Sequence, residues 1–314
     1  QTVNKAALAY WNFFQAQEKL SLRQDSIRIA DKVLVDNRER HRTGKMAETE
    51  VLEAMAGVAS RKSLLSEATQ EHLAAANNLR SVLAIQVSPD PADVVAADTI
   101  TTEPAAFNKA AIMQTALELQ PNYLATKAQL KQADIKVVFA KNQRWPELDL
   151  NASYGLNGLD FNRSGSWRQV RETEYDAWSV GLEFRIPLMG GIDSAGELRK
   201  VQLEKRRQLL ALKDIEIKLA NEIDTSISNV TSAVEQMSYA GEIVEIQKKL
   251  LDAELARLQS GKSNSRLVLE KEDNYRNALE VVLKNKIKLQ TALLALELSE
   301  GSLLVHHGVE IMER

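Results

Sequence analysis

The six prolines of this 314-residue chain all lie between positions 89 and 187. Proline removes a helical hydrogen bond and clashes with the preceding turn, so it interrupts helices. Residues 1–88 and 188–314 carry no such interruption, and both are rich in the strong helix formers Ala, Leu, Glu, Lys, Gln and Arg. The distribution predicts long helices in both stretches and a different kind of structure between them.

The second proline-free stretch has a helical pattern over residues 191–259. A capping-box sequence at Ser194 and Glu197 indicates a helix start near its beginning. A helix of about 65 residues is on the order of 100 Å long. That length favours coiled-coil packing over the alternative, a solvated helix of a globular bundle. The residues of the apolar face recur about every 3.6 positions: Leu212, Ile215, Leu219, Ile223, Ile227, Val230, Val234 and Met237.

Two breaks divide the proline-free stretches into helical hairpins. The first helix is predicted from about residue 2 to 42, and its partner continues to about residue 86; the second pair covers 191–259 and about 265–304. A shift of 217 residues places Gly44-Lys45 on Gly261-Lys262 and Val51-Leu52-Glu53 on Val268-Leu269-Glu270. The same shift matches Leu34 with Leu251, Arg40 with Arg257 and Asn4 with Asn221. The match predicts an internal duplication; the alternative is a chance resemblance between two coiled coils.

The region between the hairpins has another texture. Residues 87–104 are predicted to form a crossing linker, followed by helix over about 105–119, a pause at Gln120-Pro121 and helix to about residue 144. The predicted domains are a first hairpin (1–86), a linker or equatorial segment (87–120), a helix leading to a barrel (121–146), a strand pair (147–188), a second hairpin (189–304) and a tail (305–314).

Residues 147–157 and 178–188 alternate between apolar and polar side chains, which predicts two strands joined by a polar loop over 158–177. About 9–11 residues is the length of a tilted strand that crosses a bilayer. Trp145, Tyr154 and Trp178 suit interfacial belts, and Pro146 and Pro187 mark the strand ends. The candidate lipid-facing residues are Leu148, Leu150, Tyr154, Trp178, Val180, Leu182 and Phe184.

The alternative for this strand pair is a half-buried hairpin on a soluble domain. Because the rest of the chain is predicted to be long helix, no second layer is available to cover the apolar face. Two strands cannot close a barrel, and an open edge in lipid leaves backbone groups unsatisfied. A membrane barrel must therefore be assembled from several chains.

Several short motifs, weak alone, occur in a specific order. They are Ala116-Leu-Glu-Leu-Gln-Pro-Asn-Tyr-Leu124, Ala140-Lys-Asn-Gln-Arg-Trp-Pro146, Ile186-Pro187-Leu188 before Gly190-Gly191, and Arg257…Gly261-Lys262-Ser263…Val268-Leu269, with a weaker echo at Arg40…Gly44-Lys45…Val51-Leu52. In this order and spacing the chain resembles the TolC-like outer-membrane efflux proteins over essentially its whole length. The fold expected is mainly α: long antiparallel coiled-coil hairpins forming a tunnel, plus membrane β-barrel strands from a short β-hairpin, internally duplicated.

The resemblance implies a homotrimer in the bacterial outer membrane, with most of the chain in the periplasm. In the family a twelve-stranded barrel is built from four strands per chain, whereas this sequence supplies one pair. An N-terminal pair missing from this sequence is the corresponding expectation. The implied function is passive export through the exit duct of a tripartite efflux or secretion system, with a periplasmic adaptor (membrane fusion protein), an inner-membrane pump and outer-membrane lipid as partners.

The resemblance also assigns roles to residues. The hairpin tips, which in the family meet the adaptor and gate the tunnel, correspond to Arg42, Gly44, Lys45, Arg257, Gly261, Lys262 and Ser263. The barrel lumen is expected to be lined by Asp149, Asn151, Ser153, Glu183 and Arg185. Glu53 and Glu270 are candidates for an acidic ring in the tunnel, the alternative being a solvated coiled-coil face. Gly44 and Gly261 equally fit glycines required only by the turn.

Other functional classes have little support in the sequence. A net charge of −3 gives no electrostatic reason to expect nucleic acid, and the absence of cysteine excludes thiol chemistry. Phosphate loops, His-Glu-x-x-His motifs and nucleophile elbows are absent, so neither an enzyme nor a cofactor is expected. His306 and His307 are interpreted as part of a frayed end rather than a metal site. The competing function is a soluble coiled-coil scaffold or periplasmic adaptor without pore activity.

Overall fold

The computed structural model describes residues 2–85, 94–98, 107–173, 175–186 and 192–309, with the side chain of Ile192 excepted. Most of these residues are helical, and the strands form one antiparallel pair. The elements are α1 (Thr2–Arg42), α2 (Glu48–Leu83), α3 (Lys109–Leu119), α4 (Pro121–Asn142), β1 (Glu147–Asn157), α5 (Arg163–Arg171), β2 (Tyr175–Arg185), α6 (Ile192–Gln259), α7 (Ser265–Glu300) and α8 (Leu303–His306).

The chain divides into two compact units, Gln1–Gln120 with Lys218–Arg314, and Pro121–Ile217. In the first unit, α7 packs against both α1 and α2. Ala residues on these helices allow close approach, and larger aliphatic side chains fill the space between them. One core cluster joins the two hairpins near their turns: Ala30, Val33, Leu34, Ala54, Val58, Leu251, Leu258, Val268 and Leu269.

A second cluster lies at the other end of these helices, where Phe13 is fully buried against Leu79 and Ile287. Helix α3 packs on α6 through Ala116, Leu219 and Ile223. The apolar face predicted for α6 is therefore buried or half-buried over these positions, as its helical period requires.

Helix α7 ends at Glu300, before the predicted position 304. Gly301 adopts φ +80°, and Ser302 N donates to Glu297 O at 3.0 Å, which is a glycine-terminated helix end. A Cβ at Gly301 would lie 2.9 Å from the main chain of Leu119. The tight approach of α3 and the left-handed backbone together require glycine here and stop the helix.

In the second unit β1 and β2 pair antiparallel, with Leu150 opposite Leu182 and Tyr154 opposite Trp178. The first predicted strand is confirmed at 147–157, whereas the second begins at Tyr175, three residues before the predicted start. The register explains this shift, because Asn157 pairs with Tyr175 and the strands stay hydrogen-bonded to the end of β1.

Two further local predictions need correction. The loop predicted over 158–177 contains the nine-residue helix α5. Its placement is reinforced by hydrogen bonds from Leu159 N to Gln169 and from Asp160 N to Ser166. The proposed capping box is also wrong, because α6 already includes Ser194, and Glu197 pairs with Lys200 in the next turn.

Several predicted features fall outside the described residues. These are Pro187, Gly190 and Gly191 after β2, and most of the predicted linker. Within that linker, residues 94–98 are described, and Ala96 exchanges main-chain hydrogen bonds with the Gln17 side chain at 2.9 and 3.1 Å. Among the described helices, none combines the length and apolar character needed to span a bilayer. The predicted domain limits stay predictions.

Candidate functional site

The turn between α1 and α2, hereafter the first tip, is built around Gly44. Gly44 adopts φ +71°. Lys45 N donates to Arg40 O at 2.8 Å, and Gly44 N donates to His41 O at 2.9 Å. These two bonds define a Schellman motif, in which glycine supplies the left-handed residue that ends the helix. Arg42, Gly44 and Lys45 are exposed, and Arg42 pairs with Glu39 one turn away.

The turn between α6 and α7, the second tip, has the same hydrogen bonds 217 residues later. Gly261 adopts φ +73°, Lys262 N donates to Arg257 O at 2.9 Å, and Gly261 N donates to Leu258 O at 3.1 Å. Arg257, Gly261 and Lys262 are exposed, whereas Ser263 is half-buried. The sequence motif thus encodes the same local turn at both tips.

The structure brings the two tips together. Arg40 donates to the main-chain oxygens of Leu258, at 2.7 Å, and of Gln259, at 3.3 Å, at the end of α6. A guanidinium at a helix C-terminus donates hydrogen bonds to the last main-chain carbonyls and interacts favourably with the negative end of the helix dipole. Asn37 bonds the hydroxyl of Ser265, and Ser265 N donates to Glu50 at 2.9 Å. The first tip is therefore tied to both helices of the second hairpin.

The second tip has a further set of bonds of its own. Ser263 donates to the buried carboxylate of Glu254, which also pairs with Arg257 at 3.3 Å. Asn264 caps α7 by accepting from Leu267 N at 2.9 Å. Predicted tip residues Arg257 and Ser263 are thus joined through Glu254, a residue that sequence reasoning did not identify.

Glu53 and Glu270 lie beyond the tips on α2 and α7 and are both exposed. Glu270 lies 3.8 Å from Lys271, its sequence neighbour. Neither carboxylate is buried, so each is free to face solvent. Their role in an acidic ring stays a prediction.

Between the two hairpins lies a buried ionic cluster that the sequence did not predict. Glu272 accepts from Arg61 Nε at 2.9 Å and from the Ser26 hydroxyl at 2.6 Å. The side chains of Glu272 and Arg61 are 2% and 5% exposed. Arg61 also contacts Asp273 at 2.9 Å, and Arg276 pairs with Asp273 at 3.0 Å. Burial of charge is offset by this set of partners, which spans three helices.

The strand pair carries the predicted apolar face. Its seven candidate lipid-facing side chains are between 62% and 73% exposed: Leu148, Leu150, Tyr154, Trp178, Val180, Leu182 and Phe184. Cross-strand pairing places Leu148 beside Phe184 on this face. The register therefore assembles one continuous apolar surface from two sequence segments.

The opposite face of the strand pair is polar. Arg185 bridges Glu147 at 3.1 Å and Glu183 at 2.6 Å, and the hydroxyls of Ser153 and Ser179 lie 2.9 Å apart. Asp149 pairs in register with Glu183. The predicted lumen residues Asp149, Asn151, Ser153, Glu183 and Arg185 thus share one face, with two carboxylates side by side.

His306 and His307 lie near a single carboxylate, that of Glu297, at 3.3 and 3.7 Å. In the parts of the chain that the structure describes, no cluster of three or more His, Cys, Asp or Glu side chains is arranged to hold a metal ion.

A family model described as outer membrane efflux protein matches residues 112–302. None of the curated proteins matches the sequence significantly. Solved structures with the same fold include the outer membrane protein VceC of Vibrio cholerae, with TM-score 0.75, 17% identity and coverage of 95% of this chain and 69% of that one.

Two further structures give the same result. The CmeC outer membrane channel of Campylobacter jejuni has TM-score 0.75 and 17% identity, with 96% of this chain and 62% of that chain covered. The MtrE outer membrane channel of Neisseria gonorrhoeae, in its open state, has TM-score 0.73 and 18% identity, with 96% and 66% covered. This chain therefore spans 62–69% of the length of these three proteins.

Proposed function

The chain belongs to the outer membrane efflux protein family, and from this membership and its geometry we propose that it is a subunit of an outer-membrane channel. The channel forms the exit duct of a tripartite efflux or secretion system and conducts its cargo passively from the periplasm to the exterior. The structurally similar proteins CmeC and MtrE are outer membrane channels.

The exposed apolar face of the strand pair is the observation that carries this proposal. Large aliphatic and aromatic side chains on a two-stranded sheet cost free energy in water, and a contiguous surface of this kind marks a membrane or protein contact. Strands of 11 residues, as observed for both β1 and β2, match the length of tilted strands that span a bilayer. Lipid on one side and water on the other account for both faces.

The free edges of the strand pair require completion by further strands. Unpaired backbone groups in hydrocarbon cost several kcal/mol each. In this proposal the strand pairs of three copies, arranged about one axis, contribute to one closed barrel. Asp149, Asn151, Ser153, Glu183 and Arg185 then line a charged, water-filled lumen.

In this proposal the helical hairpins form a periplasmic tunnel. The tips, with Arg42, Gly44, Lys45, Arg257, Gly261, Lys262 and Ser263, contact the periplasmic adaptor that links the channel to an inner-membrane pump. Exposed side chains on a short, rigid turn suit such a docking surface because the turn is fixed by its own hydrogen bonds. Glu53 and Glu270 form an acidic ring inside the tunnel.

Cell fractionation combined with detergent extraction tests this proposal. The native protein should sediment with outer membranes and require detergent for release, and it should migrate as a trimer in detergent. Recovery as a monodisperse protein in the detergent-free soluble fraction would favour a coiled-coil scaffold or periplasmic adaptor instead.

A further inference from the structure

The groove between α1 and α2 is filled by side chains from α7. It is lined by Arg23, Ser26, Ala30, Gly57 and Arg61. Leu269 lies so close to Gly57 that a Cβ there would sit 2.5 Å from Leu269 Cδ1. Glu272, one turn later, bonds Ser26 and Arg61. Two residues of α7 thus close the groove, one by packing and one by ion pairing.

A counterpart of this groove lies between α6 and α7, and it is open. Its cavity of about 250 Å³ is lined by residues that include Ala240, Ile243, Gln247, Asn274 and Ala278. Each of these five follows a lining residue of the first groove by 217 positions. Ile243 is 49% exposed, whereas its counterpart Ser26 is buried. The second groove therefore occupies the same position in its hairpin as the first. Among the described residues, no side chain fills it as Leu269 and Glu272 fill the first.

The counterparts of the two filling residues are also exposed. Leu52 corresponds to Leu269 and Met55 to Glu272 at the same offset. Both lie on α2, and they are 55% and 44% exposed. Exposed aliphatic side chains at positions whose counterparts are buried indicate surfaces that become covered in an assembly.

The polarity of the two grooves differs, and the polarity of the side chain that fits each groove differs in the same direction. The polar groove, with Ser26 and Arg61, receives the carboxylate of Glu272. In the second groove these positions are Ile243 and Ala278, and the corresponding filling residue is Met55. The three positions that form the ion-paired contact in the first groove are thus all apolar in the second groove and in the segment that corresponds to its occupant.

We propose that Leu52 and Met55 of one copy of the protein insert into the groove between α6 and α7 of the next copy. This contact between subunits has the same form as the contact within each chain, in which Leu269 and Glu272 fill the groove between α1 and α2. It is a head-to-tail contact, which closes into a ring when the rotation is suitable. The inference rests on the proposed oligomeric channel and assigns the residues of its subunit interface.

Arg257 gives the same interface a polar contact at the tips. Its counterpart Arg40 donates to the main-chain oxygens of Leu258 and Gln259. The residues 217 positions before these are His41 and Arg42. The Arg257 side chain is 60% exposed, and in the assembly it caps the end of α1 in the next copy.

Cysteine crosslinking tests the pairing directly, because the 314 residues contain no cysteine. The native membrane-inserted protein carrying Met55→Cys and Ile243→Cys is treated with a short thiol crosslinker. Products with the mass of two and three chains are expected. The control pair Glu53→Cys and Ile243→Cys uses an exposed residue on another face of α2, and it should give about tenfold less product because its Cβ atoms point apart.

Equal yields from the two pairs, or single chains from both, would overturn the interface. Native mass measurement of the same samples separates this result from failure of the proposed function. Intact trimers that do not crosslink through residues 55 and 243 would refute the interface alone, whereas single chains in the membrane would refute both.

A charge transplant provides an independent readout. Met55→Glu alone and Ala278→Arg alone should each reduce the trimer fraction in detergent, since each places a lone charge in an apolar contact. The double variant recreates the pair formed by Glu272 and Arg61 and should restore trimers. Loss of trimers in the double variant equal to the sum of the single losses would contradict the proposal.

Discussion

Glu272 links the second hairpin to both helices of the first. Its carboxylate, 2% exposed, contacts Arg61 from α2 and Ser26 from α1. A buried ion pair adds little net stability compared with apolar packing, but removing one partner is costly because the other charge stays buried. Among single substitutions, those that remove one partner of this buried ion pair are therefore expected to be strongly destabilising.

Replacing Glu272 with alanine should lower the free energy of unfolding by about 3 kcal/mol, the low end for breaking a buried pair, because Arg61 keeps Asp273 at 2.9 Å. The measurement is the denaturant concentration at which half of the protein is unfolded, compared with that of the unsubstituted protein. Glu270→Ala, an exposed control two residues away, should change stability by at most about 0.5 kcal/mol. Equal midpoints for the two variants would show that the contact between the two hairpins does not depend on the cluster.

His72 provides a pH test of the other core cluster. Its ring lies 5.2 Å from that of Phe13, and burial, with a smaller effect of the nearby Arg80 charge, lowers its pKa below 6.5. The unfolded chain therefore binds the proton more readily than the folded one. The contribution of His72 to stability should be complete above pH 6.5 and be lost as the pH falls through its folded pKa.

An NMR titration of His72 and denaturation at several pH values measure this effect. His72→Gln should remove the corresponding part of the pH dependence. A titration midpoint at or above 6.5 for His72 in the folded protein would contradict this account.

At the scale of elements, the two tips are the most regular feature. Gly44 and Gly261 have nearly the same φ, and a Cβ at either position would meet nothing within 4 Å. Glycine is therefore favoured at both positions by the left-handed backbone and not by steric crowding around the Cβ position.

Gly44→Ala and Gly261→Ala should each lower the free energy of unfolding by about 1 kcal/mol, because an L-residue is strained in the left-handed region. Asparagine tolerates that region, so Gly→Asn at either site should recover most of the loss. Thermal unfolding of the four variants checks this. Clearly unequal losses at the two tips would show that the turns are not equivalent.

The strand pair makes a prediction about its two faces. Val180→Arg should destabilise the membrane-inserted, folded protein by about 2–4 kcal/mol if the residue lies near the bilayer midplane. Ser179→Arg, on the opposite face beside Ser153, should have little effect. The fraction of protein folded in outer membranes measures both. Equal tolerance at positions 179 and 180 would show that the apolar face does not contact lipid.

Local signals in the sequence predicted most elements and their hairpin pairing but not the contacts between the two helical hairpins. Proline absence, helical periodicity and the glycine turns identified the long helices, because these signals act within a few residues. The start of β2 was missed because pairing with Asn157 extends it, and the end of α7 was missed because the approach of Leu119 requires Gly301. Arg61 and Glu272, 211 positions apart, have no local signal of their contact.

The same distinction holds for the candidate site. Alternation identified both faces of the strand pair, and the repeated Gly-Lys motif identified both tips. Arg40, Asn37 and Glu254 were not recognised as tip residues because their partners become neighbours only when the hairpins pack. The 217-residue offset carried more information than sequence motifs alone, since it relates exposed residues on one hairpin to buried ones on the other.

At the scale of the whole molecule, the apolar strand face, the strand edges and the open groove each indicate contacts beyond one chain. Under the proposed function, the apolar face needs lipid, the strand edges need further strands, and the groove between α6 and α7 needs an occupant. A trimeric outer-membrane channel satisfies all three requirements. The 217-residue correspondence between the two hairpins gives such a ring six related hairpins from three copies.

Single-channel conductance in a planar bilayer is the most direct test of the central proposal. The purified native oligomer should give discrete conductance steps, and Asp149→Lys with Glu183→Lys should shift the reversal potential towards anion selectivity, because both carboxylates line the proposed lumen. Val180→Lys, on the lipid-facing side, should leave the selectivity of any channels that still assemble unchanged. A membrane-inserted oligomer without conductance, or with selectivity indifferent to both lumen substitutions, would contradict the proposal.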